Sequence, residues 1–145
     1  MKLVDKGRFA PPPKLKLAAQ RVSEAVAAWE GIHARTHWLL GDDREIDGAD
    51  FYLREKEVGH IHLDSEAHVV LPRVVVDLLV KAGLGHRLEW SRSVVVFAVD
   101  RTADVEHALW LFQLSYDRCR GETTRALVSR VEAHATRAGA AALPS

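Results

Sequence analysis

The sequence predicts an α+β two-layer sandwich, a mainly antiparallel five-stranded sheet with helices in the order α-β-β-β-β-α-β-α-α. Three observations predict it. Apolar residues recur at helical spacing in 15–29 and again after residue 72, residues 32–71 change to short alternating segments, and 94–99 is an unbroken apolar run. Strands in succession, with helices mostly before and after them, suit an antiparallel sheet covered by a helical layer. The 145 residues suffice for one domain, placed at 14–138 between an extended arm (1–13) and a flexible tail (139–145).

In the first element Leu15, Ala18, Ala19, Val22, Ala25, Val26 and Trp29 form one stripe, with Pro13 in the opening turn and Gly31 just past the end. Four strands follow at about 32–40, 49–54, 58–63 and 67–71, separated by Gly41-Asp42-Asp43, Asp47-Gly48, Glu55-Lys56-Glu57 and Asp64-Ser65-Glu66. Pro72 opens a helix carrying Val75, Val76, Leu79 and Val80, which Gly83 closes. The valine run is the fifth strand, buried on both faces. Thr102 caps the next helix, which runs to about Arg120, and a last helix spans about 122–138. The segment 108–114 is apolar nearly all round, so it needs cover from the sheet and from a second element, or from another copy of the chain.

Composition excludes several function classes. Twenty Lys and Arg balance twenty Asp and Glu, so no global field gathers nucleic acid or an acidic membrane. No apolar run reaches the roughly 18 residues of a membrane span, and the single Cys119 makes no internal disulfide, which suits a cytoplasmic protein. Phosphate-loop, dinucleotide, hydrolase-elbow and paired-cysteine motifs are absent.

The chemistry-bearing stretch is 49–72. With three-residue loops at 55–57 and 64–66, Tyr52 pairs with His60 and His62 with His68. Phe51, Leu53, Ile61, Leu63, Ala67, Val69 and Leu71 then share one apolar face, and Tyr52, His60, His62, His68 and Val70 share the other. Loops of that length ordinarily want a glycine in the left-handed region, and neither has one. Imidazoles on such a face exchange protons near neutral pH, and a phenol can steady a developing enolate, which makes His60, His62 and Tyr52 the candidate catalytic residues. His68, His86 and Trp90 are candidate substrate contacts, the last two from the 84–93 loop. No metal is required by this reading; were one bound, His60, His62 and His68 would hold it. His60-Ile61-His62 followed by Glu66 also has the spacing of the first cupin motif, but the second motif is missing and the helix content is wrong for a jelly roll. His33 and His37 alternate on the first strand and could extend the polar row, but are read as surface residues first.

Several short motifs in combination carry a family resemblance: Ala49-Asp50-Phe51, Gly59-His60-Ile61-His62, Leu71-Pro72 with 77–83, and 104–111 with Ser115-Tyr116. Over about residues 25–120 the chain resembles the small luciferase-domain family, named after the fungal luciferase. The segment Glu89-Trp90-Ser91-Arg92-Ser93 departs from the family's Pro-x-Ser-Gly-Trp. The resemblance implies an oxygenase acting on a hydroxylated pyrone with molecular oxygen and neither metal nor flavin, His60 or His62 being the base and Tyr52 an orienting donor. Three functions are therefore expected in turn: a cofactor-independent oxygenase or proton-transfer enzyme on an enolic or aromatic small molecule, a non-catalytic ligand-binding or homo-oligomerising module, and a metal-dependent enzyme.

Overall fold

A computed structural model describes residues 11–39 and 42–142. The chain runs α1 (Leu17–Ala27), β1 (Ile32–Leu39), β2 (Asp42–Leu53), β3 (Lys56–His62), β4 (Glu66–Val70), α2 (Arg73–Lys81), β5 (His86–Leu88), β6 (Ser91–Ala98), a 3-10 turn (Thr102–Asp104), α3 (Val105–Cys119) and α4 (Thr124–Ala142). The α+β class holds, with six strands where five were expected. All pair antiparallel in the order β1-β2-β3-β4-β6-β5. The additional strand, β5, is a three-residue edge inside the segment read as a loop.

Three boundaries differ for local reasons. α1 starts at Leu17, so Pro13 lies before the helix instead of in its first turn. Asp47-Gly48 does not end a strand, because β2 continues through it. A side chain at Gly48 would place Cβ 2.0 Å from the Ile61 carbonyl oxygen, so glycine here serves close strand approach. The final helix continues through Ala142, beyond the expected end at 138 and into the expected tail. Most of the N-terminal arm, residues 1–10, and the last three residues lie outside the described residues.

Alternation across the strands builds the core. Phe51, Ile61, Ala67, Val69 and Val95 point to one side, where α1 covers β1 and β2, α3 covers β3 and β4, and α2 covers β5 and β6. α4 packs on α2 and α3 and seals the layer with Leu127 and Val131. Ala108, Leu111, Phe112 and Leu114 are fully buried within this layer, while Leu109 and Trp110 of the same apolar stretch are half-buried. Phe112 meets Phe51 edge to face at 5.7 Å between ring centroids.

The β2–β3 hairpin decides which side chains share the other face. Its loop is two residues, Arg54 and Glu55, with Arg54 at φ 57°, and not the expected Glu55-Lys56-Glu57. Pairing then slips by one between Phe51 and Tyr52, because Phe51 opposes Gly59 while Tyr52 opposes Glu57. Val58 is thus the extra residue of a β-bulge. Loop and bulge together restore the expected parity, and His60 comes opposite Asp50. The second loop has the expected three residues but consists of Leu63, Asp64 and Ser65, so His60 pairs with His68. Ser65 occupies the left-handed position at φ 76° where glycine was wanted; its N–H donates to the His62 carbonyl and its own carbonyl accepts from Val99.

Helix α3 satisfies the carbonyls that the bulge turns aside. Ser115 Oγ lies 2.8 Å from the Val58 oxygen and 2.6 Å from that of Val70, and Arg118 Nη2 donates to the Glu57 oxygen at 3.0 Å.

Candidate functional site

On the face away from the helices, one rung crosses all six strands: Arg35, Asp50, His60, His68, Val96, His86. Around it four imidazoles pack against one another. His37 stacks on His60 at 4.1 Å and 8°, while His60–His62, His60–His68 and His62–His68 lie at 4.8, 4.9 and 4.4 Å between ring centroids. The structure therefore brings together the three histidines expected from the sequence and adds His37, which the sequence reading had left on the surface.

Each imidazole has its own carboxylate. His60 Nδ1 is 2.8 Å from Glu57, His62 Nδ1 2.6 Å from Asp47, His68 Nε2 2.7 Å from Glu66 and His37 Nδ1 2.6 Å from Asp50. None of these four acids was paired with an imidazole from the sequence, although Asp50 lies in one of the short motifs and Glu66 in the cupin-like spacing. Glu57 sits in a charge run that looked like a turn, and the bulge carries it to the face of His60, which an i, i+3 spacing on a regular strand would not do. Glu66, the acid of the cupin-like spacing, is engaged by His68.

Their environments pull the imidazoles apart. Burial and the neighbouring His60 and His37 charges hold His62 below the ordinary histidine range, against the pull of Asp47. His68 is also lowered, by burial first and then by His62 and His60, with Glu66 opposing. For His37 burial acts downward, but Asp50, Asp47 and Glu57 outweigh it and hold the group above the usual range. Burial likewise acts upward on Glu57, yet the His60 hydrogen bond and the nearby His60, His37 and Arg35 charges bring it below the carboxylate norm.

Tyr52 stands at the margin of this cluster. It opposes Glu57 across the ladder and carries the Arg35 guanidinium over its ring at 3.7 Å. Burial, with Glu57 and Asp50, raises its phenol, and Arg35 offsets part of that. Tyr52, Arg35, Trp38, Asp50, Arg54 and Glu55 line an open cleft of about 530 Å³. Asp50 belongs to both cleft and cluster. Trp38 Nε1 is buried without a hydrogen-bond partner among the described residues. The other two expected contacts stand apart: His86 lies beyond Val96 on the rung and is exposed, and Trp90 is 76% exposed beside Ser91 in the β5–β6 turn.

The sheet face holds His60 and His62 of the motif Gly59-His60-Ile61-His62, and Ser115 beneath the bulge belongs to another of the motifs that carry the resemblance, with which comparison with known families agrees. Residues 55–115 match the luciferase domain family. The matched segment runs from the β2–β3 turn to Ser115 and so contains Glu57, His60, His62, Glu66 and His68. His37, Asp47, Asp50 and Tyr52 come from the preceding hairpin, β1–β2, outside the match. No curated protein and no solved structure matches the chain. Among the described residues, no helix is long and apolar enough to cross a membrane.

Proposed function

We propose that the histidine face is a small-molecule reaction site at which His60, backed by Glu57, removes a proton from an enolic or aromatic substrate held in the Tyr52 cleft. One observation carries the reading: the His60–Glu57 pair, 2.8 Å apart, adjoins through Asp50 and Tyr52 a cleft large enough for such a molecule. The carboxylate orients the imidazole and stabilises its protonated form. Tyr52 donates to the enolate oxygen as charge develops there, and Arg35 over the ring adds positive potential. His62 and His68 pack against the His60 ring. An enolate formed in this way is electron-rich enough to pass an electron to molecular oxygen, so an oxygenase-like reaction would need no further redox group. The luciferase-domain match favours this outcome over simple isomerisation.

The test is oxygen uptake by the purified chain over a panel of enolic compounds that includes hydroxylated pyrones. His60→Ala should reduce turnover by about 10²–10⁴-fold, the usual contribution of general-base catalysis. Tyr52→Phe should lower kcat more than it changes KM. Turnover that survives His60→Ala undiminished removes the base from the scheme.

A further inference from the structure

We infer that His37, His60 and His62 form a site for a divalent transition-metal ion of the zinc or cobalt class, with Asp50 at hand as a fourth donor. One donor atom from each of the three imidazoles lies within 4.8 Å of the others. Ligand nitrogens around a tetrahedral ion at 2.0–2.1 Å stand about 3.3 Å apart, so modest ring rotations close the site. His60 and His62 come from β3 and His37 from the neighbouring hairpin, whose bulge between His37 and Trp38 marks a locally irregular ladder.

Three further features favour an ion. His60 and His62 direct Nδ1 to Glu57 and Asp47, the carboxylate–imidazole arrangement that orients histidine ligands and leaves the other nitrogen free. For His62 that other nitrogen, Nε2, is buried and has no partner among the described residues, and Asp50 Oδ1 is buried without a well-directed hydrogen bond. Finally, Asp47, Asp50, Glu57 and Glu66 gather around the four rings, so that neutral imidazoles would leave a concentrated negative charge that a dication offsets. An all-nitrogen triad with a carboxylate suits zinc, cobalt, nickel or copper better than calcium or magnesium. The triad differs by one member from that expected from the sequence: His68 has its Nε2 engaged by Glu66, and His37 takes its place.

The inference goes beyond the proton-transfer reading and competes with it for His60, since a ligated imidazole no longer serves as the base. The experiment therefore reads ions before activity. The full chain, without a histidine tag and stripped with a chelator, is titrated with Co²⁺ alone and followed by its visible absorption. One Co²⁺ per chain is expected, with the intense bands of four-coordinate cobalt, displaced by Zn²⁺. His37→Gln and His62→Gln should each weaken binding at least tenfold, Asp47→Asn should weaken it 10–100-fold as loss of an orienting partner does, and His86→Gln should leave it unchanged. If His62→Gln melts early, His37→Gln on the edge strand decides. Substoichiometric Co²⁺, or binding indifferent to His37→Gln, overturns the site. Oxygen uptake without Co²⁺ binding would refute the metal and spare the base, whereas Co²⁺ binding without oxygen uptake would support the metal and count against the base.

Discussion

Replacing Ser115 by alanine tests whether α3 holds the bulge in place. Ser115 is fully buried, and its hydroxyl lies 2.8 Å from the Val58 carbonyl oxygen and 2.6 Å from that of Val70, with Arg118 Nη2 3.4 Å from Oγ. Alanine removes one oxygen, too little to open a cavity of consequence, so the cost arises from hydrogen bonding. Losing the bond itself costs about 0.5–1.5 kcal/mol, and a buried carbonyl left without a donor raises the total toward 1–3 kcal/mol. A value near 2 kcal/mol corresponds to a melting temperature lower by roughly 6 °C for a chain of this size. Urea unfolding followed by far-UV circular dichroism measures it, with Ser115→Cys, a weaker donor of similar shape, expected in between. The same variant should loosen the Glu57–His60 pair, read from the His60 imidazole nitrogen shifts. A loss below about 0.5 kcal/mol with unchanged His60 shifts would show that the bulge stands without the helix, and the account of how Glu57 reaches the site would fail.

Gly59→Ala should destabilise by about 1–3 kcal/mol in the same assay, because its Cβ would stand 2.6 Å from the His68 carbonyl oxygen and 2.8 Å from Phe112 Cε1; a neutral result would mean that α3 can move off β3. Stability should fall on both sides of neutrality. His62 and His68, lowered in the folded state, lose their contribution as pH drops below 6.5, and raised His37 loses its own as pH climbs through its folded value above 6.5. Urea midpoints across pH should accordingly show a shallower acid-side slope in His68→Gln, with His62 still contributing, and lose the alkaline-side slope in His37→Gln, and unaltered slopes would reject these environments. Trp90→Ser should change stability by less than about 0.5 kcal/mol and leave turnover intact, since the ring is exposed at a turn; a large KM effect would return Trp90 to the substrate site. Cys119 should alkylate slowly at neutral pH, because burial raises its thiol despite Arg118 and Lys56, and rapid labelling would show that this side of α3 opens.

The legible parts of the fold were those written in periodicity. The stripe of α1 and the odd–even sorting of Phe51, Ile61, Ala67 and Val69 against His60, His62 and His68 follow from local geometry, and both appear in the structure. What escaped depends on contacts between distant segments. Gly48 resembles a turn residue until Ile61 is seen against it, and β5 is too short to show a period. His37 joins the cluster only because β1 pairs with β2 at a register that sets it opposite Gly48, within reach of Asp50 along the same face. The carboxylates were hidden because acids in short charged runs resemble solvated turns, and only the bulge shows where Glu57 points.

That bulge also limits how the chain can change in length. Removing Val58 alone would turn the bulge into a regular ladder with Glu57 two residues from His60 and still on its face, and the loss would fall on the core that the Val58 side chain fills. Losing one residue between Glu57 and His60 therefore spares the sorting of the faces, and its cost is the buried Val58 side chain and the carbonyl that Ser115 holds. Homologous chains that share the site should accordingly either keep all four positions from Glu57 to His60 or lack only the bulged one.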